Sequence, residues 1–193
     1  LENPDKLLTK KSWQNTDKKI YSQKEWDAAN TGIEYSDELD FNNWEVAEKT
    51  SHILIVADVK RKLFIDEMND WNPGVYKYVL SSTDKWGNKV EETDFFTLFD
   101  SNSKKMPYTT NSFYFVDKSS AKPGDTVNVY IGSSHKKTNL YYEFFEKGEI
   151  SIAQNLNLNN EVKKIEIPIT EVHRGGVSFS FMFIKNANLY TFN

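Results

Sequence analysis

Val177-Ser178-Phe179-Ser180-Phe181-Met182-Phe183 sets a large apolar side chain at every second position. A period of two places Val177, Phe179, Phe181 and Phe183 on one face of an extended strand and leaves Ser178, Ser180 and Met182 on the other. Four large side chains on one face, each worth roughly 1.5–3 kcal/mol when fully buried, demand a second layer to cover them. Downstream, Asn186-Ala187-Asn188 reads as a turn that sends the chain back through Leu189-Tyr190-Thr191-Phe192.

Working upstream, Ile165, Ile167 and Ile169 alternate with Glu166 and Pro168. Proline donates no ladder hydrogen bond, so this strand is expected at a sheet edge or ending there. Leu140 to Phe145 and Ile150 to Ala153 flank Glu146-Lys147-Gly148-Glu149, a hairpin connection. Val127, Val129 and Ile131 alternate with Asn128 and Tyr130, giving one buried and one wetter face, after a turn at Lys122-Pro123-Gly124-Asp125. With Phe113-Tyr114-Phe115-Val116, residues 111–193 read as about seven short strands, the rhythm of a two-sheet sandwich. No strand–helix–strand rhythm appears, so a parallel α/β fold is not expected.

The polar stretch 100–110, with Pro107 and no periodicity, reads as a linker. The chain therefore divides into a first module of residues 1–103, a linker of 104–110 and a second module of 111–193. In the first module, Ile53, Ile55 and Ala57 and then Leu63-Phe64-Ile65 read as strands. Val75 to Leu80 follows the turn Asn72-Pro73-Gly74, where glycine is expected to take a positive φ. Asp84-Lys85-Trp86-Gly87-Asn88 reads as a hairpin tip and Phe95-Phe96-Thr97-Leu98-Phe99 as the returning strand. Residues 1–45 are the least regular, with Trp13, Trp26 and Trp44 set among polar residues. One short helix is expected over 22–29, with Ser22 as cap, Glu25 three residues later and Gly32 as stop.

Composition narrows function by exclusion. A net charge of -4 over 193 residues argues against nucleic acid as a partner, and no apolar run reaches the roughly 18 residues that span a bilayer. The absence of cysteine removes disulfides, thiolate metal sites, cysteine nucleophiles and any thioester. Leu1 is preceded by no Met or signal segment, so the chain reads as a piece of a longer polypeptide. No phosphate-cradling glycine loop, GxSxG elbow or HExxH helix is present.

The three histidines, His52, His135 and His173, have no sequence neighbours that make a base and nucleophile pair. His173 is expected in a structural turn and His135 in a solvated Ser/Lys-rich loop. Asp37-Glu38-Leu39-Asp40 and Asp66-Glu67-Met68-Asn69-Asp70 lack EF-hand spacing, and a solvated acidic loop is preferred to calcium at both. No catalytic, cofactor or metal residue is thus assigned. Trp71 and Trp86 are the candidates for an exposed stacking platform of the kind that binds carbohydrate, weighed against packing under loops.

Several of these stretches, taken in order, resemble one family. Asn72-Pro73-Gly74-Val75-Tyr76, Thr83-Asp84-Lys85-Trp86-Gly87-Asn88-Lys89-Val90 and Phe95-Phe96-Thr97-Leu98-Phe99-Asp100 look like the closing half of a macroglobulin (MG) domain of bacterial alpha-2-macroglobulin-like proteins. Lys122-Pro123-Gly124-Asp125-Thr126-Val127 looks like the opening of the next. Ile131-Gly132-Ser133-Ser134 and Ile167-Pro168-Ile169-Thr170-Glu171-Val172-His173-Arg174-Gly175-Gly176 are similar to its later parts. The likeness covers about residues 46–193.

The resemblance implies an all-β fold: two tandem antiparallel seven-stranded fibronectin-III-like (MG-type) β-sandwiches, with an irregular N-terminal segment. It implies non-catalytic structural domains of an extracytoplasmic, envelope or secreted, protease-trapping protein. The partners would be the remaining domains of the parent polypeptide and the proteases it traps, without nucleic acid or membrane contact. Without a cysteine or an evident bait stretch, no functional residue of the family carries over. The alternative is a carbohydrate- or surface-binding sandwich of an envelope assembly.

Overall fold

The alternation around Phe181 is realised as the centre of a β-rich fold. The computed structural model describes residues 1–14, 18–49, 68 and 70–192. The strands expected at 53–57 and 63–65, His52 and most of the second acidic cluster lie outside the described residues. In chain order come helix α1 (Gln23–Ala29), a 3-10 turn (Phe41–Asn43) and strands β1 (Gly74–Thr83) and β2 (Lys89–Leu98). Then follow β3 (Phe113–Val116), β4 (Thr126–Ser133), β5 (Thr138–Glu146), β6 (Glu149–Leu158), β7 (Glu161–Pro168), β8 (Val177–Lys185) and β9 (Asn188–Phe192).

β3 to β9 form two antiparallel sheets, one ordered β3-β4-β7 and the other β6-β5-β8-β9. Their facing sides make one core. Val129, Ile131 and Ile167 come from the first sheet, and Leu140, Tyr142, Phe144, Leu158, Phe181 and Phe183 from the second. Phe181 is wholly inaccessible to solvent, and Val177 and Phe179 pack against the same cluster, so the stripe faces inward as its period requires. Among the described residues β7 pairs only with β4, and it ends at Pro168, which meets both conditions expected of a strand containing proline.

Three turns follow directly from their residues. Gly124 takes φ +97 in the turn closed by the Asp125 amide on the Lys122 carbonyl. Lys147 and Gly148 both have positive φ, the pair a two-residue type I′ hairpin requires. Gly87 has φ +89 at the tip of the β1–β2 hairpin, where the Asp84 carboxylate accepts the Trp86 and Asn88 amides at 2.8 Å each. Gly74 departs from expectation. It has no positive φ and opens β1, paired with Leu98, because the turn is spent before it and the backbone there is already extended.

Tyr130 also corrects the sequence reading. It was expected on the wetter face of its strand, yet it is 6% exposed. Phe113, Tyr130 and Val162 form a second small core on the outer side of the three-stranded sheet, covered by Phe99, Met106 and Tyr108. Residues 100–110 are irregular, as expected, but they lie along the sheet: Pro107 is buried, and the Lys104 carbonyl accepts the Val162 amide at 2.8 Å. Gly132 lets them approach. A Cβ there would stand 2.8 Å from Met106 Sδ and 3.0 Å from the Glu161 carbonyl oxygen.

Candidate functional site

The N-terminal segment is folded by local chemistry and by its aromatic residues. Ser22 caps α1 in a capping box, its hydroxyl accepting the Glu25 amide while the Glu25 carboxylate accepts the Ser22 amide at 2.8 Å. Past the helix, Gly32 with φ +78 turns the chain so that Thr9 and Ile33 bridge in parallel. The Thr9 amide donates to Gly32 and the Glu34 amide to Thr9. The buried Glu34 carboxylate accepts the Lys11 amide at 3.1 Å.

That bridge brings residues 11–13 against the helix. Trp26 is held by its indole N–H, which donates to the Ile33 carbonyl at 3.1 Å. Its ring lies 6.3 Å from Trp13 and 6.0 Å from Tyr35, inclined at 58° and 57°. Together with Tyr21, Gln14 and Lys19 these rings line a cavity of about 170 Å³. The wall is open to water on one side: Trp13 is 52% and Tyr21 54% exposed. Lys19 sits with Nζ 4.3 Å from the centre of the Tyr35 ring and donates to the Ser36 hydroxyl at 2.9 Å.

A second aromatic group fastens this segment to the rest. Phe41 and Trp44 pack on Tyr108 at 5.8 and 6.0 Å, and Phe41 lies 5.7 Å from Phe95 of β2. Trp44 is buried and its indole N–H donates to Glu38 at 2.7 Å. At the far end, the Asn111 side-chain amide donates through Nδ2 to the Leu8 carbonyl at 2.7 Å, and the Thr9 and Tyr190 hydroxyls lie 3.3 Å apart.

The sequence candidates fall elsewhere, and apart from each other. His173 stands in a 3-10 turn, Glu171–His173, as expected of a structural residue. Its Nδ1 accepts the Thr170 amide, which leaves Nε2 to donate to Glu146 at 3.1 Å, so both ring nitrogens are spent on packing the turn. His135 is not solvated as expected. It is 6% exposed, Nε2 has no hydrogen-bond partner among the described residues, and the ring lies 6.0 Å from Tyr190. Burial holds its pKa below 6.5, and nearby Lys185 acts in the same direction.

The acidic residues of the first cluster are engaged in turns. Glu38 accepts the Tyr35 and Ser36 amides, and Asp40 caps the 3-10 turn through the Asn42 amide. Among the described residues no three His, Asp or Glu side chains gather as a metal site.

Trp71 and Trp86 do not share a surface. Trp71 stacks on Tyr76 at the base of β1, while Trp86 is at the hairpin tip, 75% exposed, under the Lys85 ammonium. Ten residues of strand, roughly 30 Å, separate the two ends. Sequence reasoning missed the pocket of Trp13, Trp26 and Tyr35. The density of tryptophan in an otherwise polar segment was its only signal.

No protein family, curated protein or solved structure matches this chain. Among the described residues, no helix is long and apolar enough to cross a membrane.

Proposed function

We propose that the chain is a framework piece of a larger alpha-2-macroglobulin-like protease trap, non-catalytic in itself and working outside the cytoplasm as part of an envelope or secreted protein. In this reading residues 111–193 are one MG-type, fibronectin-III-like sandwich. Residues 1–103 belong to a preceding module.

The observation that carries it is the strand arrangement, three strands ordered β3-β4-β7 facing four ordered β6-β5-β8-β9. Two of the stretches that resemble the family are connections of this sandwich. Lys122-Pro123-Gly124-Asp125 turns into β4, and Thr170 to Gly176 joins β7 to β8. The spending of both His173 nitrogens on the turn, and the turn-capping role of the acidic residues, agree with a scaffold. Its partners are the other domains of the parent polypeptide and, through them, the trapped protease.

The test uses the parent polypeptide that contains this chain. After limited cleavage by a broad-specificity protease, it should retain the protease on gel filtration and shield it from large substrates but not from small peptides. The isolated chain should do neither. A parent that neither changes shape nor retains the protease refutes the proposal. The alternative of a surface-binding module built on Trp71 and Trp86 is disfavoured by their separation along the ribbon.

A further inference from the structure

We infer that the pocket between Trp13, Trp26, Tyr21 and Tyr35 is a binding site for a single carboxylate-bearing sugar ring, a hexuronate. The inference is independent of the framework role, since a scaffold functions with or without such a site.

Size comes first. A cavity of about 170 Å³ lies below the several hundred Å³ of pockets that enclose drug-sized ligands, so it takes one ring. Four aromatic rings line it together with Lys11, Gln14, Lys19 and Ile20, and the exposure of two of the rings is unusual. Trp13 and Tyr21 each leave more than half of their surface in water, although the Trp26 ring lies 6.3 Å from that of Trp13 and the Tyr35 hydroxyl donates to the Tyr21 carbonyl. The rings meet at 57–58°, which makes a corner and not a flat platform. A pyranose presents axial C–H groups to such faces while its equatorial hydroxyls point outward. The open side of the pocket leaves those hydroxyls wet, whereas a flat aromatic ligand gains most from full enclosure.

Charge sets the class of sugar. Lys19 occupies the face of Tyr35 and donates to the Ser36 hydroxyl at 2.9 Å. Lys11, in the same lining, holds Nζ 5.7 Å from the centre of the Trp26 ring and donates to the Tyr35 carbonyl at 2.8 Å. A cationic ligand is therefore repelled and finds that aromatic face already taken. A carboxylate on the ring rim gains a charge-assisted hydrogen bond from Lys19, and the Gln14 amide stands in the same wall to meet a hydroxyl.

The experiment follows tryptophan fluorescence, confirmed by heteronuclear NMR, while the chain is titrated with sodium glucuronate, glucose and a short peptide ending in tyrosine. Glucuronate should bind with Kd on the order of 1 mM, the range for about a dozen heavy atoms in an open site. It should bind at least about fivefold more tightly than glucose. Trp13→Ala should abolish binding. Lys19→Gln, on a solvent-facing side chain, should leave the fold intact and reduce the preference for the acid, with Lys11 still in the lining. Absence of glucuronate binding, equal binding of glucose, or tighter binding of the peptide would overturn the inference. So would an unchanged preference in Lys19→Gln.

Discussion

At Phe181 the demand of the sequence and the supply of the fold meet in one side chain. It has no solvent exposure, stacks near-parallel on Phe179 at 5.7 Å and lies 6.0 Å from Tyr142 of the neighbouring strand. Phe181→Ala should cost about 3–5 kcal/mol, measured as a drop in denaturation midpoint. Gly132 is the opposite case, a residue defined by what cannot be added. Gly132→Ala forces a methyl group against Met106 Sδ, which can shift, and the Glu161 carbonyl, which cannot. A loss of about 1–3 kcal/mol is expected, and an unchanged melting temperature would show that β4 and β7 can separate there at no cost.

His135 should give the fold a pH dependence of definite sign. Its folded pKa is depressed by burial and by Lys185, so the unfolded chain binds the proton more readily. The stability it contributes is present above 6.5 and is lost as pH falls from there through the lowered folded value. Thermal melts of the wild type should fall off over that window more steeply than those of His135→Gln, and equal slopes would exclude His135 as the group responsible.

Among the elements, the β8–β9 connection carries a removable strain. Asn186 and Ala187 both adopt positive φ, 48° and 60°, in a two-residue turn between the paired Lys185 and Asn188. Asparagine takes that conformation readily, whereas alanine takes it at an energetic cost. Ala187→Gly should stabilise the protein by about 0.5–1 kcal/mol, seen as a higher melting temperature, despite glycine's greater freedom in the unfolded chain. This turn and those at Gly124 and Lys147-Gly148 were legible because a turn's geometry depends on the few residues within it. The capping box at Ser22 and Glu25 was legible for the same reason. Gly74 misled because Asn72-Pro73-Gly74 states that a turn occurs but not which residue ends it. Tyr130 and His135 misled because burial depends on what crosses above, Met106 and Tyr108 over one and Tyr190 beside the other, and no window of ten residues contains both partners.

On the scale of the whole molecule, residues 1–45 behave as a strap over the sandwich, fixed at one end by Phe41 and Trp44 on Tyr108 and at the other by Leu8 and Thr9 on Asn111 and Tyr190. Trp44→Ala should weaken the first attachment, leaving Phe41 alone on Tyr108 and Phe95. Amide exchange should then speed up across 1–45 while β4, β5 and β8 keep their protection. Uniform acceleration throughout would mean that strap and sandwich unfold as one unit. None of this long-range fastening was visible in the sequence, where Trp13, Trp26 and Trp44 share no period and the residues they meet lie on other segments.

The order β6-β5-β8-β9 leaves β6 as an outer strand of ten residues, with Ile150 and Ile152 exposed. It carries neither lysine nor proline, the usual guards of a free ladder of amides and carbonyls. Its one irregularity is the register shift opposite Phe144 and Phe145, which leaves Ser151 as an extra residue and bends the strand near its start. Beyond that bulge, the stretch from Ile152 to Leu158 remains a template on which a second copy, or a partly unfolded neighbour, can add a strand. Self-association at high concentration should therefore begin at this edge, and the bulge is the device that keeps the first third of it from taking part.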